Sequence, residues 1–575
     1  MKVVIVGGGI AGLSTYLFFR QYLSDIPNLE IQLYEGSDIS KYISRFTNQS
    51  LEHDASSSEG AGSRADAASK LTEEDFNVEA IGGAIGIARN GLDVLSRLFT
   101  SSQRNTSFRS VLDDIINQSH PITKWEVHCA RGWELANINL TPKVSREKRE
   151  RPSGDAQDNC TTNSVSNGWQ DSPISTIMIG RQLFWSILLK HVIKLGGNAD
   201  IRYRRVSRIE LPGDPLSPNR RPRIEFTDGT SEEADLVVGA DGLRSTVRKG
   251  MFTDTTTMVL SPSAIPDKST WMSRVLSSLL SSLRRGYKPP ADYVTPHYEG
   301  LAGVGGFLPL SVLENAGQKS GAMSVVFGPN GFFGMGYINP QPQSSSKPGH
   351  VESSSTKSAG IYWSTFSSAD PYPFPFASST IKHHPQEFDR AKARSSLQSR
   401  HKNWKHAGVQ AILKYIEDNP DTQPAGFFPT WTTPELPRWS SHGCIVLVGD
   451  AAHALQPSSG QGTSQALEDV ETLASLLKHH LLNSPTQDQD QKFQQVAMST
   501  ALEQYETLRM PRVHAIYERS QKIGGMKADM GFLAEMFMYV AIKIGSLFND
   551  KYNEKLVQYN LQSHVAEIIK EGTGQ

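Results

Sequence analysis

At 575 residues the chain is too long for one hydrophobic core, and about 100–200 residues per domain points to two or three domains. Its 58 Lys and Arg against 59 Asp and Glu leave a net charge of −1, so the basic excess that a nucleic-acid partner calls for is missing. Cys129, Cys160 and Cys444 show neither a metal-ligand spacing nor an even-numbered disulfide framework, and they read as reduced thiols of a cytoplasmic protein.

Residues 3–6 are all apolar and predict a short buried strand, followed by a glycine turn and an apolar helix over 13–23. Leu29, Ile31 and Leu33 alternate with polar residues, which predicts a second strand over 29–35 and completes a β-α-β unit. Glycines in the middle of the first apolar run suit a strand and turn rather than a signal peptide. Three stretches, 55–69, 143–171 and 340–358, are rich in Ser, Gly, Gln and charge, with little to bury, and read as mobile surface insertions. Between the last two lie a predicted helix over 181–195 and an apolar strand over 234–240. Residues 255–436 are rich in aromatics, Gly and Pro, with strand-like pieces at 322–327 and 361–365. A buried strand over 443–449 leads through a Gly/Ser turn to a helix over 462–482. Residues 531–548 are apolar but carry Glu535 and Lys543, short of the ~20 charge-poor residues a spanning helix needs. A packed amphipathic helix is expected there, with weak peripheral membrane association as the alternative. Met526, Met530, Met536 and Met538 read as core packing.

The chemistry concentrates at three places. Gly7-Gly8-Gly9-Ile10-Ala11-Gly12 follows a strand and opens a helix. Gly7 permits a tight turn, Gly9 lets backbone approach a pyrophosphate, and Gly12 allows close helix–strand contact. The helix N-terminus offers free N–H groups to the phosphates, and Glu35 stands where an acid accepts from ribose hydroxyls. A dinucleotide is the expected ligand. Asp241 ends the second apolar strand and Asp450 the third, each the first polar group at a strand end, where ligands bind in open α/β folds. After Asp450 come His453, Pro457 and the turn Gly460-Gln461-Gly462.

Together these segments resemble the three fingerprints of the group A flavoprotein monooxygenases, the para-hydroxybenzoate hydroxylase-like family, and most of all its fungal secondary-metabolite members. Residues 81–92, 179–183 and 505–512 resemble further family segments. The resemblance implies an α/β fold: a discontinuous Rossmann-like FAD-binding domain (1–100, 175–254 and 437–520), a mixed-sheet substrate domain with flexible insertions (101–174 and 255–436) and a helical C-terminal segment (521–575). It implies that Gly7, Gly9, Gly12 and Glu35 hold the ADP half of FAD. Gly83 and Ala84 would run along the flavin and Arg181 would pair with the cofactor. Asp241 would support the pyrophosphate region and the approach of the nicotinamide. Asp450, Gly462 and Thr463 would contact the ribityl–isoalloxazine half, with Pro457 beside the reactive face. The implied activity is that of an oxidoreductase: NAD(P)H, a transient co-substrate, reduces the flavin, O2 forms a C4a-hydroperoxyflavin, and an aromatic or polycyclic small molecule is hydroxylated.

An epoxidase or rearranging oxygenase of a terpenoid or alkaloid would use the same chemistry, and a non-catalytic flavin-binding interaction protein is the alternative from another class. A halogenase is disfavoured, since no Trp-x-Trp-x-Ile-Pro run occurs. The residues 303–306, Gly-Val-Gly-Gly, lack the strand-to-helix context of a second dinucleotide site, so NAD(P)H is expected to dock transiently. Arg89 stands where the family usually has Pro, and the insertion between Glu35 and Gly82 is unusually long. His453 reads as structural, and Arg244 and Arg248 stay open between solvated and functional. His479-His480 lacks a third ligand and is no metal site. No catalytic residue is assigned. The substrate pocket is expected among Tyr293, His297, Tyr298, Phe307, Phe333, Tyr337, Trp363 and Phe366, against the FAD domain.

Overall fold

The computed structural model describes residues 1–44, 46, 83–99, 110–140, 172–212, 221–253, 292–338, 359–374, 388–420, 424, 426–482, 491–525, 531–546 and 556–573. The three stretches expected as insertions lie outside these residues, as do Cys160, Met526, Met530 and the first two positions of the 81–92 segment.

Val3, Val4 and Ile5 are fully buried, which is possible only for a strand covered on both faces. Strand Lys2–Val6 accordingly sits inside a six-stranded sheet, between Glu30–Glu35 and Leu236–Gly239, parallel to both. Ile445–Leu447 and the short Ser440–Ser441 extend it on one side, and Ile201–Tyr203 closes the other. All pairs are parallel except Ser440–Ser441 with Ile445–Leu447. Helix Ile10–Tyr22 lies against helices Gly462–Leu482 and Arg181–Lys194. It starts at Ile10, earlier than its apolar run suggests, because Gly9 is its N-cap and the fingerprint glycines form its entry. This is the Rossmann-like α/β fold that the sequence implied.

A second sheet of seven strands runs in the order Gly426–Thr432, His297–Pro309, Ala359–Ser367, Gly331–Tyr337, Ala322–Gly328, Lys124–Cys129, Glu134–Asn139. Side chains alternate across it. Phe333, Tyr337 and Tyr362 point to one face, under Leu397, Val409 and Ile412 of helices Arg390–His401 and Ala407–Asp418. Phe307, Met323, Ile361, Trp363 and Trp125 gather on the other. There they meet Ala84 and Met178 of a three-stranded sheet made by Ala84–Ala88, Thr176–Gly180 and His120–Ile122. Residues 303–306 lie within strand His297–Pro309, with 303–305 paired on both sides, and the short helix Leu310–Asn315 after them does not make them a phosphate turn.

Helix Gln491–Gly525 runs along Gly462–Leu482, and Leu561–Thr573 covers both. Helix Phe532–Ser546 instead docks on strand Glu134–Asn139.

Candidate cofactor site

The first glycine turn is set by contact distances. Gly7 has φ +105°, and a Cβ there would stand 2.5 Å from the Ala240 carbonyl oxygen. A Cβ on Gly12 would stand 1.8 Å from the Gly7 oxygen, so strand and helix touch through bare backbone. Gly9 differs: a Cβ there would meet nothing within 4 Å, and the turn opens outward at that residue. Glu35 accepts from the Gly8 N–H with Oε2 and from the Ser37 N–H with Oε1, both at 2.7 Å. An ionised carboxylate has about four acceptor positions, so two remain for ribose hydroxyls. Trp185, which sequence reasoning did not single out, donates its indole N–H to the Gly8 carbonyl at 2.8 Å.

The second turn is open as well. Gly449 (φ +58°) leads into the short helix Asp450–His453, where the Asp450 side chain is exposed. Pro457, also exposed, opens the turn Pro457–Ser459, and Gly460 at φ +60° ends it. A Cβ at Gly460 or Gly462 would meet nothing within 4 Å. Half-buried Gly462 and Thr463 begin helix Gly462–Leu482, whose first N–H groups lack intrahelical partners and form its positive end.

The third group is Gly83, Ala84 and Arg181. Ala84 pairs with Gly180, the Arg181 N–H donates to the Gly83 carbonyl at 3.1 Å, and the Arg181 side chain is exposed. Phe428, another residue the sequence did not flag, brings its ring to 3.9 Å from a Cβ placed on Gly83.

Specific contacts join the three groups. A Cβ on Gly449 would lie 3.1 Å from the Ala11 Cβ. The Ala88 N–H donates to Ser464 Oγ at 3.2 Å. Trp185, on the helix that Arg181 opens, reaches the Gly8 carbonyl.

Beneath the second turn lies a buried charged cluster. Asn90 donates to Gln461 Oε1 at 3.0 Å and to Glu468 Oε1 at 2.6 Å. Arg509 donates to Asp469 at 2.9 Å, to Gln465 at 2.7 Å and also to Glu468, and Arg512 adds bonds of 2.6 and 2.7 Å to Glu468. Asp469 further accepts from the Gly449 N–H at 2.9 Å and contacts His453 Nε2 at 2.5 Å. Burial alone would raise both acids; Arg509 and Arg512 beside Glu468, and His453 and Arg509 beside Asp469, overturn that and hold both carboxyls below the usual range. His453 is buried, with its ring 4.8 Å from that of Trp439, which fits the structural role read from the sequence.

Asp241 has a local task. Its carboxylate accepts from Ser245 Oγ at 2.5 Å and from the Thr246 and Val247 N–H groups at 2.6 and 3.2 Å, capping helix Thr246–Thr253. Desolvation nonetheless pushes this carboxyl above the usual range. Its backbone lies against Gly7, so it shapes the first turn. The two arginines after it divide: Arg244 is exposed, whereas Arg248 is fully buried and donates to the Ala451 carbonyl at 2.8 Å, to Val294 at 3.1 Å and to Leu243. Arg248 is therefore an interior tie between the Asp241 and Asp450 segments, not a solvated side chain. Arg89, in place of the family's Pro, is buried and bonds Asp93 at 2.8 Å and the Ser172 carbonyl at 2.9 Å.

Of the residues expected to line a substrate pocket, Phe307 and Trp363 lie on the sheet face that meets Ala84. Phe333 and Tyr337 do not; they are core on the opposite face, and Phe366 is core beside Phe374. Strand alternation separates them, since neighbours in sequence face opposite ways. Tyr293 packs its ring at a tilt against Phe252 and Tyr298 against Trp431, and His297 is exposed. Trp125, which the sequence did not single out, joins Phe307 and Trp363, and its buried indole N–H has no acceptor among the described residues. No group of side chains suited to a metal ion occurs among the described residues.

Comparison with known proteins agrees with this geometry. Residues 433–520 match the family model described as FAD binding domain. The FAD-dependent monooxygenase ptmM of Penicillium ochrochloron is 34% identical over 126 residues, 22% of this chain and 29% of that protein. The 3-amino-4-hydroxybenzoate 2-monooxygenase of Streptomyces cremeus is 25% identical over 339 residues, 59% of this chain and 58% of that protein. The chain thus spans less than two thirds of the length of these relatives. The fold matches Klebsiella pneumoniae HpxO, solved with FAD and uric acid, at a TM-score of 0.56 and 15% identity, covering 99% of this chain and 97% of that one. A salicylate hydroxylase substrate complex matches at a TM-score of 0.55 and 14% identity, covering 99% and 98%. The resemblance to the group A flavin monooxygenases is borne out, and FAD is the cofactor. The site suits it: backbone open to phosphates at Gly9, a helix N-terminus at Gly462, and an exposed acid at Asp450 for a polyol.

Proposed function

We propose that the chain is an FAD-dependent monooxygenase that takes electrons from NAD(P)H and hydroxylates an aromatic or polycyclic small molecule with one atom of O2. The observation that carries this reading is that Ala84 packs on the aromatic sheet face of Phe307, Trp363 and Trp125, while its strand bonds Ser464 in the first turn of helix Gly462–Leu482. When bound and reduced, the flavin activates O2 and supplies the oxygen atom.

The protein's own residues bind, orient and exclude water. Gly7, Gly9, Gly12 and Glu35 hold the ADP half, Asp241 props the turn, and Arg181 balances the cofactor's negative charge. Asp450 accepts from the ribityl hydroxyls. The N–H groups at Gly462 and Thr463 would stabilise negative charge on the reduced cofactor, and Pro457 would lie beside it. Trp363 and Phe307 offer a planar apolar wall, and the Trp125 N–H suits a substrate bearing an acceptor such as a carbonyl or phenolic oxygen. Cys129 and Cys444, both buried, support a reducing, cytoplasmic setting. The boundaries 1–100, 175–254 and 437–520 for the cofactor domain belong to the same proposal.

The test is a panel of phenols and polycyclic compounds followed by NADPH oxidation and product mass. A gain of one oxygen atom is expected, and Trp125→Phe should raise KM more than it lowers kcat. A flavin-loaded protein that never oxidises NADPH with any compound would overturn the proposal.

A further inference from the structure

Helix Phe532–Ser546 is apolar on two sides, and the fold uses one of them. Met538 and Tyr539 are buried beside Cys129, Leu135 and Ala136 at the edge of the seven-stranded sheet. The helix's acid, Glu535, is turned inward and accepts from the Tyr539 hydroxyl at 2.6 Å. The opposite side exposes Leu533 (82%), Phe537 (77%), Phe532 (60%), Val540 (56%) and Ile544 (53%). At 3.6 residues per turn, Leu533, Phe537, Val540 and Ile544 fall in one stripe.

The stripe continues onto the neighbouring hairpin. Exposed Trp133 lies between strands Lys124–Cys129 and Glu134–Asn139, and the Arg131 guanidinium sits over both the Trp133 ring (5.9 Å) and the Phe532 ring (5.2 Å). Six of the nine large hydrophobics exposed among the described residues therefore belong to this patch; Tyr203, Phe428 and Val496 are elsewhere. Its rim is basic. Arg131, Lys402, Lys405 and Lys543 are exposed, and the Lys405 N–H bonds the Ala130 carbonyl, which brings that loop beside the hairpin. Glu134 is the one exposed acid of the hairpin turn 130–134.

This chemistry selects the occupant. The helix has 15 residues, about 22 Å at 1.5 Å per residue, too short for a hydrocarbon layer of about 30 Å. No helix among the described residues is long and apolar enough to cross a membrane. An apolar stripe with a Trp and basic residues at its margin fits a helix lying in the plane of a bilayer surface, with its cations at the phosphates. We propose that this face seats the protein on an anionic membrane surface, inserting Leu533, Phe537, Val540 and Ile544 below the headgroups. The proposal is independent of the reaction assigned to the flavin site.

Full-length protein would be sedimented with vesicles of phosphatidylcholine, with and without phosphatidylserine. Binding to the mixed vesicles is expected, about fivefold or more weaker without the anionic lipid and weakened by salt. The double variant Leu533→Glu/Phe537→Glu should lose about tenfold or more of that binding while keeping its flavin absorbance and Tm. Wild-type protein that stays in the supernatant with both vesicles overturns the proposal. So does a wild-type dimer, seen by light scattering, that the double variant converts to monomer, since the face would then be covered by a second copy.

Discussion

The two glycine turns proposed to cradle the cofactor are built in opposite ways. The first, Gly7–Gly12, is held by backbone contact alone: strand, turn and helix approach so closely that only hydrogen fits at Gly7 and Gly12. The second, Gly460–Gly462, has space around its glycines and takes its shape from a buried ionic cluster. The lesson is that a sterically defined turn carries its instructions within six residues. An electrostatically supported one depends on side chains from separate helices, here Asn90, Glu468, Asp469, Arg509 and Arg512.

The sharpest way to break the comparison is at the first turn. Gly12→Val should abolish flavin binding and yield colourless, unstable protein, because no relaxation of a side chain removes a clash with the Gly7 backbone. Gly9→Ala, with open space around it, should leave Tm nearly unchanged yet weaken FAD by about tenfold, since it obstructs only the ligand. Flavin-to-protein absorbance ratios and thermal melts separate the two. Equal effects at both positions would show that the turn is not sterically set.

At the second turn, Arg509→Met leaves two buried carboxylates short of a cation and should cost about 3–5 kcal/mol, read by denaturant melts. The pH dependence follows the same logic. Because Glu468 and Asp469 are held below their ordinary values, the stability they contribute is complete above the unfolded carboxylate range near pH 4, and is lost as pH falls through their folded values. Flavin release, followed by fluorescence, should begin below about pH 4 in the wild type and at higher pH in the Arg509→Met variant. An unchanged acid limb would mean the cluster does not support the turn. The smallest effect is expected at Trp185→Phe: loss of one hydrogen bond to the Gly8 carbonyl, about 1 kcal/mol, visible as an FAD Kd several-fold higher with Tm little changed.

Much of the cofactor sheet was legible. Strands at 3–6, 29–35 and 234–240 are apolar or alternating runs ended by Gly or an acid, and each reappears with slightly different limits. In the candidate site, what the sequence made legible was open or tightly turned backbone, as at Gly7 and Gly462. It was not legible where a side chain acts at a distance. Trp185 lies within an apolar helix pattern, Phe428 within a strand and Trp125 in an aromatic stretch, and nothing in their neighbours signals a carbonyl, a glycine or a ligand across the fold. Arg248 could be read either way because a charged residue near a helix start is solvated unless three carbonyls happen to converge on it.

By itself the sequence determined the glycine turns and the acids at the strand ends, and with them the expectation of a dinucleotide, because those features follow from local sterics and from polar groups placed where a strand stops. Only the tertiary structure decided which face of the seven-stranded sheet looks toward Ala84, which arginines are interior, and that helix Phe532–Ser546 buries one apolar side and leaves the other bare. The reason is physical: alternation and helical periodicity tell which residues share a face, whereas what covers that face depends on segments far away in the chain.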